Sequence, residues 1–268
     1  MAVQERAQLA EQIWWILVGS VVVMLVLSLV AYAVDKRTLQ GASVWAKPIK
    51  FQLAVILHFG TLALLTRYLS EPVRASTVFL AVVAISVVAT VGELAYIAVQ
   101  AARQQPSHFN TSTPAAAAMY SLMAAGAVAV IGAAGAVGIA FVLDGRATVG
   151  EPLRHAIALG LIGGTILTMI VAFTLGGRMS HHVGIEPPGA PRMPFTGWSL
   201  VVGDLRAPHF FATHMVQAVP LAGLVIERIA SGPVAIAGVW ASAILWAALT
   251  VWLFRNALAG LPIGGFGS

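Results

Sequence analysis

Seven long apolar runs alternate with polar connections along this chain. Each is long enough to cross about 30 Å of hydrocarbon as a helix, which takes about 20 residues. They cover Ile13 to Val34, Ile49 to Leu69, Ser76 to Val99, Ala115 to Leu143, His155 to Gly176, Ala207 to Ala230 and Pro233 to Phe254. No soluble segment and no long-period repeat is visible. The pattern therefore predicts one all-α domain, a polytopic integral membrane protein built as a bundle of seven transmembrane helices. The first run exceeds the apolar core of a signal peptide, and Glu5, Arg6 and Glu11 leave its leader without net positive charge, so it reads as a retained span.

The punctuation agrees with this division. Thr113-Pro114 and Ser231-Gly232-Pro233 read as helix starts, with a hydroxyl to cap free N–H groups and proline where its missing N–H costs little. Pro220 lies inside the sixth run, where it would free the Val216 carbonyl and bend the helix. Trp14, Trp15, Trp45 and Trp252 stand near run ends and read as interface anchors. One connection is long: Gly177 to Arg206, with four prolines and the stretch Trp198 to Val202, reads as a lid or binding loop returning to the membrane surface.

Composition sharpens the class. The chain is 59% hydrophobic and 9% charged over 268 residues, too few charges to hydrate the surface of a soluble globule. With no cysteine it has neither disulfides nor thiolate chemistry. The net charge of +5 then belongs to loops, and points to membrane orientation or an anionic ligand and away from nucleic acid. Seven spans place Lys36, Arg37, Lys47, Lys50, Arg103, Arg178, Arg192, Arg206 and Arg255 on one side. Arg6, Arg67, Arg74, Arg146, Arg154 and Arg228 fall on the other. The positive-inside rule makes the richer side cytoplasmic, with the N-terminus outside, as in a bacterial inner membrane.

Histidine is more uneven than charge. His108, His181, His182 and His209 lie at the cation-rich face, His58 and His214 lie inside spans that open from it, and His155 alone sits at the opposite end. At 1.5 Å per residue, His58, His214 and Glu93 fall roughly 13, 10 and 9 Å below that face on three different helices. Ionisable groups at such depth must face protein and find partners. Each alone reads as a buried group bonded to a carbonyl or an opposite charge; together they suggest a polar pocket, with "QAARQQPSHFN" as one wall.

Two functions fit that pocket. In the first, His58, His214 and Glu93 ligate haem or a divalent metal ion for redox, sensing or catalysis. Lys50 and Arg206 then hold propionates, and the glycines of "GAVAVIGAAGAVGIA" and "GLIGG" admit a porphyrin, unless they serve ordinary close helix packing. In the second, Lys47, Lys50, Arg103, His108, Asn110, Asp204, Arg206, His209 and Gln217 bind a small anion or lipid headgroup, while Glu93 and the deeper histidines relay protons, as in a transporter or channel. Asp204 also reads as a cap for the sixth span, or as a group orienting His209. Ser107 and His108 are adjacent, so on regular structure their side chains diverge and make no nucleophile pair. His181 and His182 read as solvated, with a lid histidine reaching the site as the alternative.

Overall fold

A computed structural model describes residues 2–265. Its seven long helices are each apolar enough to cross a membrane, so the chain is an all-α, seven-span integral membrane protein whose apolar helix faces partner the lipid bilayer. The contacts divide it into two compact units, Met1–Thr148 and Val149–Ser268.

The first unit contains four spans. Helix α1 (Val3–Val34) is followed by a two-residue hairpin, β1 (Thr38–Leu39) and β2 (Ala42–Ser43). Then come α2 (Ala46–Thr66), the short α3 (Glu71–Arg74), α4 (Thr77–Ala102) and α5 (Pro114–Leu143). Helix α1 starts ten residues before the apolar run because "VQERAQLAEQ" is rich in strong helix formers. Its early turns are held: Ala7 and Ala10 are buried, Glu11 lies 3.7 Å from Arg74, and Arg6 donates to the Thr77 hydroxyl.

That early start corrects the reading of Trp14 as an interface anchor. Trp14 sits well inside α1, fully buried, with its ring 6.0 Å from both Phe59 and Phe79 and its indole N–H donating to Ser86 Oγ at 3.3 Å. A large ring with a satisfied polar edge is core, and α1, α2 and α4 close around it. Trp15 and Trp252 are exposed, as expected of anchors.

At the other end of this unit, Asp35 gathers the connections. Its carboxylate accepts from the Arg37 guanidinium and the Trp45 indole, while Arg37 also donates to the Ala102 carbonyl at the end of α4. Hydrogen bonds from Arg37 and Trp45 hold the Asp35 carboxyl well below the usual carboxylate range, and the same pairing raises Arg37. Thr113 caps α5 as expected, accepting from the Ala116 N–H, and Ser76 caps α4 in the same way.

The second unit holds α6 (Glu151–Arg178), a hairpin of β3 (His182–Val183) with β4 (Gly203–Asp204), α7 (Arg206–Ile229) and α8 (Gly232–Leu258). Ser231 precedes α8 as expected, but its hydroxyl makes no cap bond; Gly232 enters the helix at φ +56° instead.

The glycines of "GLIGG" pack α6 onto α7. A Cβ on Gly160 would lie 2.6 Å from Pro220 Cδ, and one on Gly164 would lie 3.0 Å from Val216 Cγ2. Pro220 thus seats over Gly160, and α7 remains a single helix through to Ile229. Gly203 shows the same intimacy, because a Cβ there would overlap the Ala257 carbonyl oxygen at the end of α8.

Candidate functional site

The stretch "QAARQQPSHFN" ends α4 and turns the chain back. Gln104 takes the left-handed position at φ +55°, its N–H bonding to the Ala101 carbonyl while the Gln105 N–H reaches Gln100. This is the Schellman termination usually built on glycine, followed by Pro106, which cannot continue a helix. The reversal sends Ser107 and Asn110 into the protein and His108 toward α4.

There His108 Nε2 lies 3.9 Å from Glu93 Oε1. The Ser107 hydroxyl lies 3.2 Å from His108 Nδ1, so the expectation that these neighbours diverge fails. The segment is irregular, with Phe109 at φ +56°, and irregular backbone lets adjacent side chains meet. Ser107 is buried, and the contact makes it a hydrogen-bond partner of the imidazole on the side away from Glu93.

Helix α2 supplies the cation. Lys47 lies over the Phe51 ring at 5.7 Å, and Phe51 in turn faces the His108 ring at 5.4 Å. Tyr120 of α5 closes the ring of contacts, 6.3 Å from His108. Four segments of one unit therefore meet at this cluster. On α4, Glu93, Tyr96 and Gln100 follow the i, i+3, i+7 spacing of one helix face, and Gln100 donates to the Tyr96 hydroxyl at 2.7 Å. That spacing was the available signal for Tyr96 and Gln100. Nothing local in the sequence marks Phe51 or Tyr120 as partners of His108.

The remaining expected residues divide by role. Lys50 and Arg103 are exposed. Asn110 organises its own loop, donating to the Pro106 carbonyl and accepting from Ser112 through both N–H and hydroxyl. His58 is buried, and its Nε2–H donates to the Val130 carbonyl of α5 at 3.2 Å.

In the second unit, Asp204 and Arg206 are clamped together. Asp204 is buried and accepts from the Arg206 guanidinium, from the Arg206 N–H and from the Ser199 N–H, while Arg206 also donates to the Gly197 carbonyl. Burial alone would raise the Asp204 carboxyl, but the bonds and charge of Arg206 outweigh it and hold the group below its ordinary range. Asp204 does meet the first N–H of α7, yet Leu205 is the N-cap, so it acts one residue earlier than a standard cap.

His182 corrects the expectation of a solvated histidine. It lies in β3 between Glu186, 3.7 Å from Nδ1, and Asp204, 3.6 Å from Nε2. Pairing of β3 with β4 places it there. Farther along α7, His214 is oriented by Gln217, whose Oε1 lies 3.1 Å from Nδ1, and packs 4.1 Å from the Phe210 ring. His209 is half-buried at the start of α7, and its Nδ1 has no hydrogen-bond partner among the described residues.

Among the described residues no group of three or more His, Asp or Glu side chains is arranged to hold a metal ion. No protein-family model, no curated protein and no solved structure matches this chain.

Proposed function

We propose that the protein is a proton-coupled carrier for a small anionic solute, with the cluster of Lys47, Glu93 and His108 as its titrating and anion-attracting centre. The observation that carries this reading is the approach of His108 to Glu93 at 3.9 Å, with Ser107 on the other imidazole nitrogen and the Lys47 ammonium over Phe51, the ring that faces His108. An acid and an ammonium on spans of a membrane protein, with an imidazole folded back onto them from the α4–α5 connection, are expensive unless they exchange protons or meet a charged solute. The 3.9 Å between Glu93 and His108 is longer than a hydrogen bond, so a proton passes between them across a bridging water or after a small side-chain movement. An incoming anion competes with Glu93 for Lys47, and the carboxylate that loses its cation gains affinity for a proton, so anion and proton enter together.

A histidine-ligated haem or divalent metal ion is the second reading. His214 favours it, since Gln217 orients the ring as an outer partner orients a ligand histidine. His58 supports it less, because the Nε2 it would offer to iron is engaged by the Val130 carbonyl.

The deciding experiment uses the purified chain in vesicles loaded with a pH-sensitive dye. Inward gradients of inorganic phosphate, succinate or nitrate are imposed in turn. Proton uptake with at least one anion, abolished by Glu93→Gln and retained in His155→Ala, is the expected result. A Soret band or stoichiometric metal in the same preparation, with no anion-linked proton movement, overturns it in favour of the cofactor.

A further inference from the structure

The connection between α6 and α7 has two halves of opposite character. From Arg178 to Arg192 it carries His181, His182, Glu186 and both arginines; from Met193 to Gly203, "MPFTGWSLVVG", it carries no charge. The uncharged half is built as a finger. Arg192 pairs with Ser199 in an antiparallel bridge, the Met193 N–H donates to the Trp198 carbonyl at 2.8 Å, the Gly197 N–H to Met193 at 2.9 Å, and the Leu200 N–H to Pro191 at 3.1 Å. The base is anchored by the Gly197 carbonyl on Arg206, the Ser199 N–H on Asp204, and buried Trp198 against Phe210.

At the tip stands Phe195, 99% exposed and in the left-handed region at φ +64°. A bulky residue at positive φ is strained, and a fully exposed aromatic ring is unfavourable in water. The finger nonetheless bonds its backbone so as to hold this ring outward, and Leu200 and Val201 behind it are also exposed. Burial of the ring in an apolar phase would offset both costs.

We propose that residues 193–201 form a membrane-docking finger, with Phe195 inserted into the headgroup and upper acyl region of the bilayer that the helices span. The occupant is lipid because the loop leaves α6 and enters α7, consecutive spans of one unit, so both its roots lie at one membrane face. The finger is the uncharged stretch of the loop; the exposed charge of the loop precedes it, and Asp204 after it is buried and paired with Arg206. Apolar side chains carried on a polar support are the chemistry of interfacial anchoring.

The absence of cysteine makes the test direct. Thr196→Cys, with Phe195 intact, is spin-labelled in the full chain and reconstituted in phosphatidylcholine–phosphatidylglycerol vesicles. Pro188→Cys in the charged half serves as reference. Collisions with oxygen, concentrated in hydrocarbon, and with a nickel chelate, confined to water, are read at each position. The expected result is an oxygen-to-nickel ratio several-fold higher at 196 than at 188, falling to the reference value when Phe195→Ser is added. Equal ratios at 196 and 188 overturn the proposal. A label at 196 shielded from both probes also overturns it, because the tip would then lie against protein. Pro194→Cys gives the same reading if Thr196→Cys fails to fold.

Discussion

The His58 imidazole bonds the Val130 carbonyl at 3.2 Å, joining α2 to α5 through a backbone oxygen that also belongs to the α5 helix. His58→Leu should keep most of the buried volume and lose the bond, lowering stability by about 0.5–1.5 kcal/mol, whereas His58→Ala adds a cavity and should cost about 2–4 kcal/mol. Thermal unfolding of the purified variants checks the order. An absorption spectrum of His58→Leu that loses a haem band present in the native protein would make the ring an iron ligand and not a strut.

Asp204 gives the clamp at the start of α7 a pH dependence. Its folded-state carboxyl lies below the ordinary value, so its contribution to stability is complete above about pH 4 and fades as pH falls through the lower folded value. Asp204→Asn should cost about 1–3 kcal/mol at neutral pH, because Arg206 is left without its carboxylate but stays partly solvated. Melting temperatures of the native protein and the variant, followed from pH 7 down to about pH 3, should draw closer as pH falls below about 4.

Close packing of α6 on α7 predicts an asymmetry among glycines. Gly160→Ala places a methyl against Pro220 and should destabilise by about 1–3 kcal/mol, while Gly132→Ala, with open space around its Cβ position, should be close to neutral. Loss of stability at both positions, measured by thermal unfolding, would mean that α5 is as tightly apposed as α6.

With seven spans the termini are expected on opposite sides, and the positive-inside rule applied to the nine-to-six distribution of Lys and Arg predicts a cytoplasmic C-terminal side. A reporter fused after Ser268 should be active only if it folds in the cytoplasm. An external reporter would mean that the cations at that face serve the polar cluster and do not follow insertion.

The spans were legible because hydrophobic runs of this length have one stable outcome in a bilayer, and their limits moved by only a few residues except at α1. There the polar leader continues the helix, which is why Trp14 looked terminal when it is internal. The ionisable residues of the site were legible as types, since Glu93 and His108 are conspicuous in so apolar a chain. Their pairing was not, because it depends on Gln104 adopting a conformation that glycine normally marks. Arg206 looked like an open cation for a related reason: its partner is two residues away in a turn, a spacing that a helix continued back to Asp204 would place on different faces.

Gly203 gives the long connection its mechanics. With no room for even one methyl between it and the Ala257 carbonyl, β4 is wedged onto the end of α8, and through β4 so is its partner strand. The connection is therefore stitched down near both roots, at β3 after α6 and at β4 before α7. It cannot swing as a hinged cover. What freedom it has lies in residues 184–191, ahead of the finger whose base Asp204 and Arg206 hold to the start of α7.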